Sequence, residues 1–203
     1  MISADRRWIF VHIQKTGGDA VRTALGAELN DPHKHFLASE LREVYGRLAW
    51  QQCFKFAFVR NPWERLVSWW SMIDSAREQV HSTPLNKFQS YVLQRASTFQ
   101  EFITSCTDEI IDFDGPKYIF RNQIDYLVDE NGEVIVDLIG RFENFQQNFD
   151  EVTKRLGRKN ARLPQVNSSR HGVYMDYYTP AMAEVVGRHY ARDLKTFGYR
   201  FGE

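Results

Sequence analysis

The chain has 203 residues, 43% hydrophobic and 26% charged, which fits a globular domain able to bury a sizeable core. Its 26 basic and 26 acidic residues cancel, so nothing global directs it to nucleic acid or an anionic membrane, and any anion site must come from a local cluster. Two cysteines exclude a disulfide framework, the six histidines show no metal-ligand spacing with them, and no apolar run approaches the roughly 20 residues of a membrane span.

Residues 1–7 lead directly into the first strand without an apolar leader core, the pattern expected of a cytoplasmic protein. Trp8–Val11 reads as a short buried strand, Gly17-Gly18 as the tight turn after it, and Asp19–Leu25 as a helix with Ala20, Val21, Ala24 and Leu25 at helical spacing. Asp31-Pro32 is a break, and Ser39 is a candidate cap for a helix running to about Leu48. Phe54–Val59, near-continuously apolar after Cys53, has the character of a parallel strand buried on both faces. Pro62 suits the first turn of the helix that follows, to about Asp74.

Residues 75–97 read as a polar surface excursion, followed by a helix over Thr98–Ser105. Asp129-Glu130-Asn131-Gly132 is a hairpin-type turn between Tyr126-Leu127-Val128 and Val134-Ile135-Val136. Asn144–Leu156 is amphipathic, with Phe145, Phe149, Val152 and Leu156 on one face and Gly157 as its stop. A last long helix starts at Thr179-Pro180, a cap followed by proline, and ends near Phe197-Gly198. This alternation predicts an α/β domain on a parallel sheet, a single domain over residues 1–203, with ligands outside the carboxyl ends of the strands.

Two strand-to-helix corners carry the chemistry. In His12-Ile13-Gln14-Lys15-Thr16-Gly17-Gly18, backbone N–H groups at a helix start attract an anion, glycines allow its close approach, Lys15 adds a mobile charge and Thr16 a hydroxyl. A nucleoside-triphosphate loop has its lysine after the second glycine; here Lys15 precedes the glycines and Asp19 follows them, which argues against a kinase. In Arg60-Asn61-Pro62-Trp63-Glu64-Arg65-Leu66-Val67-Ser68, Arg60 stands at a strand end where a guanidinium grips a phosphate with paired hydrogen bonds, and Ser68 on the next helix can add a hydroxyl. Taken singly, the first corner reads equally well as a plain turn with a solvated lysine, and the second reads more readily as a structural arginine paired with carboxylates.

Taken together, Lys15-Thr16-Gly17-Gly18 and Arg60-Asn61-Pro62-x-x-Arg65-x-x-Ser68 resemble the sulfotransferases that use 3′-phosphoadenosine 5′-phosphosulfate, above all the carbohydrate-type branch with the heparan and chondroitin O-sulfotransferases and bacterial relatives. Ile139–Asn144, Asn167-Ser168-Ser169-Arg170, Tyr177–Pro180 and Phe197–Phe201 extend the likeness along nearly the whole chain. The resemblance implies a three-layer, P-loop-like α/β fold with a central parallel sheet flanked by helices. It assigns Gln14, Lys15, Thr16, Gly17, Gly18 and Asp19 to the 5′-phosphosulfate, Arg60 and Ser68 to the 3′-phosphate, and Ser169 and Arg170 to the 3′-phosphate or the acceptor. Asp19 departs from the family, which has Thr or Ser after the glycine pair, and Gln14 stands where many relatives have proline.

The implied reaction is in-line attack of an acceptor hydroxyl, with a carbohydrate the simplest acceptor, on the sulfuryl group, releasing 3′,5′-bisphosphoadenosine. Lys15 stabilises charge on the leaving oxygen, and no metal is required. A histidine, with an ordinary pKa near ~6.5, suits the base. His35 is the first candidate and His33 the second, both lying between the two loops as in the branch. His12 reads as a core or supporting residue, and the basic run Lys154–Arg162 as a helix C-terminus with a solvated loop. The competing reading is a nucleotide-binding relic of the same fold, with Asp19 as its mark.

Overall fold

Strands and helices alternate from the first buried segment onward. The computed structural model describes residues 1–5, 7–27, 31–78, 84–112, 115–158, 161–164 and 172–203. In chain order its elements are β1 (Trp8–Val11), α1 (Gly18–Leu25), α2 (Ala38–Tyr45), α3 (Arg47–Gln52), β2 (Phe54–Val59), α4 (Pro62–Glu78), α5 (Lys87–Arg95), α6 (Phe99–Ser105), β3 (Ile110–Asp112), β4 (Gly115–Lys117), β5 (Leu138–Arg141), α7 (Phe145–Arg155), α8 (Pro180–His189) and α9 (Ala191–Phe197). They gather into two compact units, residues 1–60 with 123–167, and residues 61–122 with 168–203.

The first unit holds a parallel sheet in the order β1-β2-β5, with Phe10 beside Phe56 and Ala57 beside Ile139. Side chains alternate across a strand, so Trp8, Phe10, Phe56 and Phe58 share a face. They pack with Val21 and Leu25 of α1 and with Phe149, Val152 and Leu156 at α7. Ile9, Val11, Ala57 and Val59 are buried as well, as a sheet covered on both faces requires. The most apolar segment, β2, takes the central place, and the α/β class with helices flanking a parallel sheet is as expected.

Several elements differ from the sequence reading. The expected Ser39–Leu48 helix is two helices broken at Gly46, whose φ of 83° favours glycine, and its N-cap is Leu37, whose N–H donates to Glu40. β5 falls in a segment recognised only as a family landmark; a Cβ on Gly140 would stand 2.6 Å from the Phe58 ring, so glycine permits the close pairing with β2. The turn at Asp129–Gly132 forms, but its flanks keep one bridge, Val128 to Val134, because Gln123–Tyr126 coils into a 3₁₀ turn.

In the second unit, Trp63, Leu66, Val67, Trp69 and Trp70 of α4 share a core with Phe88 and Val92 of α5, Phe102 of α6 and Val186 of α8. The supposed excursion over 75–97 therefore supplies core: α4 continues to Glu78, and α5 is closed by reciprocal bonds between Asn86 and Gln89. Residues 79–83 of that stretch lie outside the described residues. β3 and β4 form an antiparallel pair not anticipated from the sequence. The expected cap at Thr179 and proline at the first helical position are present, but Tyr190 interrupts the last helix between α8 and α9. Arg65, fully buried, donates to the Arg121 carbonyl and the Tyr190 hydroxyl, a structural task.

Candidate active site

The first loop is shaped by its own backbone. Lys15 takes φ 68°, alone among the described non-glycine residues in the positive region, and Gly17 follows at 81° as the N-cap of α1. Such a conformation costs a lysine on the order of 1 kcal/mol, and strain of this kind is held only where the surroundings over-determine it. Thr16 is buried and its hydroxyl donates 2.9 Å to the Ile13 carbonyl, tying the loop to itself. The Tyr126 hydroxyl donates to the Gln14 side-chain carbonyl, so Gln14 is anchored to the 3₁₀ turn.

Each glycine of the pair has its own reason. A Cβ on Gly17 would lie 2.5 Å from Phe145 Cζ and 3.0 Å from Phe142 Cε2, and one on Gly18 would lie 1.9 Å from His12 Nε2. Any larger residue at either position displaces a packed ring. No side chain caps the start of α1, so its first N–H groups and the positive end of its dipole remain available to an anion. Asp19 does not supply the cap: its carboxylate pairs with Arg22 at 3.3 Å and Lys34 at 3.2 Å.

At the end of β2, Arg60 is held by its backbone and its tip. Gln123 bonds the Arg60 N–H and carbonyl reciprocally, both at 2.8 Å, continuing the ladder past the strand. The guanidinium lies 4.2 Å over the Phe142 ring, and its Nη1 donates 3.3 Å to the Lys15 carbonyl. The two motifs, 45 residues apart in the chain, thus touch directly. Burial pulls the Lys15 ammonium down to about 8, the Arg60 charge adding to this and Asp19 opposing it.

His35 is buried, and its Nδ1 lies 3.2 Å from the His12 carbonyl. A carbonyl only accepts, so this contact puts the proton on Nδ1 and the lone pair on Nε2. The His12 ring packs between Phe10, at 5.4 Å, and His35, at 4.7 Å. Burial above all, with the charges of Lys34 and Arg22 behind it, holds His12 well below the ordinary histidine range. His33 has a different setting: it pairs with Asp31 at 3.4 Å and lines a cavity of about 550 Å³ with Tyr45 and Trp8.

The first unit therefore gathers Gln14, Lys15, Thr16, Gly17, Gly18, Asp19 and Arg60, with His35 joined to them through His12. Ser68 is a buried residue of α4 in the second unit. Ser169 and Arg170 lie outside the described residues. The sequence reading missed Gln123 and Phe142 as the residues that fix Arg60. Phe142 had a visible signal, an aromatic in the family-like Arg141-Phe142-Glu143-Asn144 run, while nothing local to Gln123 announces its partner. Among the described residues there is no cluster of three His, Cys, Asp or Glu able to hold a metal, and no helix long and apolar enough to cross a membrane.

Searches of curated proteins and of solved structures return no match. A model of the sulfotransferase family matches residues 1–200, through both units and both loops. With a parallel α/β core and an uncapped glycine loop at its strand ends, the chain belongs to the sulfotransferase family.

Proposed function

We propose that the chain moves a sulfuryl group from 3′-phosphoadenosine 5′-phosphosulfate to an acceptor hydroxyl, most simply that of a carbohydrate, with residues 1–203 acting as one catalytic domain. The observation that carries this reading is the meeting of two cations: Arg60 bonds the Lys15 carbonyl, and its charge helps depress the Lys15 ammonium. Like charges held together beside an uncapped helix start are stabilised by an anion, and Gly17 and Gly18 let the loop that carries them pack against Phe142, Phe145 and His12. The residues fit the group. When bound, it supplies the sulfuryl group and leaves as 3′,5′-bisphosphoadenosine.

In this reading Gln14, Lys15, Thr16, Gly17 and Gly18 receive the 5′ end, Arg60 and Ser68 the 3′-phosphate, and Ser169 and Arg170 the 3′-phosphate or the acceptor. Lys15 neutralises charge on the leaving oxygen, an interaction that strengthens as that charge develops. Asp19 stands at the edge of this grip with its charge offset by Arg22 and Lys34, which relieves the repulsion that an unpaired carboxylate would bring. His35 takes the acceptor proton at Nε2, its ring held by the His12 carbonyl. His33 lines a cavity that none of the loop residues enters, and is the second base candidate.

Titration calorimetry with 3′,5′-bisphosphoadenosine and with ATP tests the reading. The bisphosphate is expected to bind at least about tenfold more tightly, a difference of about 1.4 kcal/mol. Tighter binding of ATP overturns it in favour of a kinase-like site.

A further inference from the structure

We propose that Phe142 is a positioning residue for recognition of the 3′-phosphate, holding the Arg60 guanidinium against the phosphate loop. The proposal rests on the reading of Arg60 as the 3′-phosphate ligand.

The geometry has three parts. The guanidinium carbon of Arg60 lies 4.2 Å from the centre of the Phe142 ring, within the range where a cation is attracted to the ring face. The same guanidinium donates through Nη1 to the Lys15 carbonyl, so ring and carbonyl together hold it from two sides. Phe142 is itself wedged: its centroid is 4.9 Å from that of Phe145, which meets Phe58 of β2 edge-on at 5.0 Å, and its edge reaches the space a Gly17 Cβ would need. One ring therefore touches the first loop at Gly17 and the second at Arg60.

A flexible arginine loses rotamer freedom when it orders around a phosphate, and a group that orders it beforehand removes that cost from binding. Paired, planar hydrogen bonding to a phosphate also depends on the guanidinium plane, which a flat aromatic face sets and a branched aliphatic side chain does not. Phe142 thus acts through Arg60, and its effect should fall more heavily on the 3′-phosphate than on the 5′ end.

The test compares 3′,5′-bisphosphoadenosine with adenosine 5′-monophosphate, which lacks the 3′-phosphate, by calorimetry on the full chain. In Phe142→Leu the preference for the bisphosphate should shrink about three- to tenfold, the size of a partly desolvated cation–π contact, whereas Phe142→Tyr should keep it. Phe145→Leu, which loosens the same aromatic wedge without removing the ring under Arg60, should lower the melting temperature and leave the preference unchanged. Should Phe142→Leu fail to fold, Phe142→Met fills more of the same volume and carries the same expectation. Equal weakening of both ligands, or no change in preference, overturns the role of Phe142. Arg60→Ala separates that failure from failure of the underlying reading: if the preference survives in Arg60→Ala, Arg60 does not read the 3′-phosphate at all.

Discussion

Lys15 carries the sharpest conflict between stability and function in the chain. Its backbone sits at φ 68° and its ammonium is drawn down to about 8 by burial and by Arg60. Below pH 8 the lysine is charged in both folded and unfolded chains, so the folded state bears the whole cost of burying that charge. From about 8 up to the ordinary lysine value of 10.5 the folded chain sheds the proton first, and stability rises with pH through that window. Lys15→Met should therefore melt above the wild type at about pH 7, by the equivalent of roughly 1–2 kcal/mol after allowance for partial exposure, with the gap closing toward pH 10. The same variant should lose bisphosphate binding. Calorimetric melting at the two pH values checks this, and an unchanged or lower melting temperature near neutrality contradicts it. Lys15 and Arg60 were legible in the sequence because each lies in a short contiguous motif. Their contact, and the parts of Gln123 and Phe142 in it, depend on pairings 63 and 82 residues away from Arg60, across strands that no local pattern links.

At the level of elements, what the sequence disclosed followed the strength of its periodicity. The apolar run of β2 and the one-sided apolar face of α7 could be read directly, since burial on two faces or one leaves a distinct pattern. β5 was hidden by Gly140, whose value lies in contact with Phe58 rather than in propensity. The α5 segment was passed over for its polar surroundings, although Phe88, Tyr91 and Val92 recur at helical spacing and all are buried. Phe88 sits 5.1 Å from Trp69 and is 1% exposed, so Phe88→Ala should remove about 3–5 kcal/mol of stability. Equilibrium urea unfolding measures it; a loss below about 1 kcal/mol would return the segment to the surface, as first read from its composition.

Across the whole molecule, one family match runs through two compact units, and each unit contributes residues to the motifs that carry the resemblance. The first unit supplies the parallel sheet and the meeting of Lys15 with Arg60; the second begins at Asn61 and carries Ser68 in α4. Fold class was legible because strand–helix alternation is a global signal. The acceptor was not, because residues that shape an acceptor pocket leave no fixed spacing. On the proposed reading Lys15 and Arg60 form a grip that supports transfer, and not a relic that only binds. Transfer of labelled sulfate from 3′-phosphoadenosine 5′-phosphosulfate across a panel of carbohydrate hydroxyls measures it most directly. Wild-type chain should label an acceptor, and Lys15→Ala should fall at least about a hundredfold, as loss of one transition-state cation does. Bisphosphate binding without any transfer, or transfer that Lys15→Ala leaves intact, would contradict it.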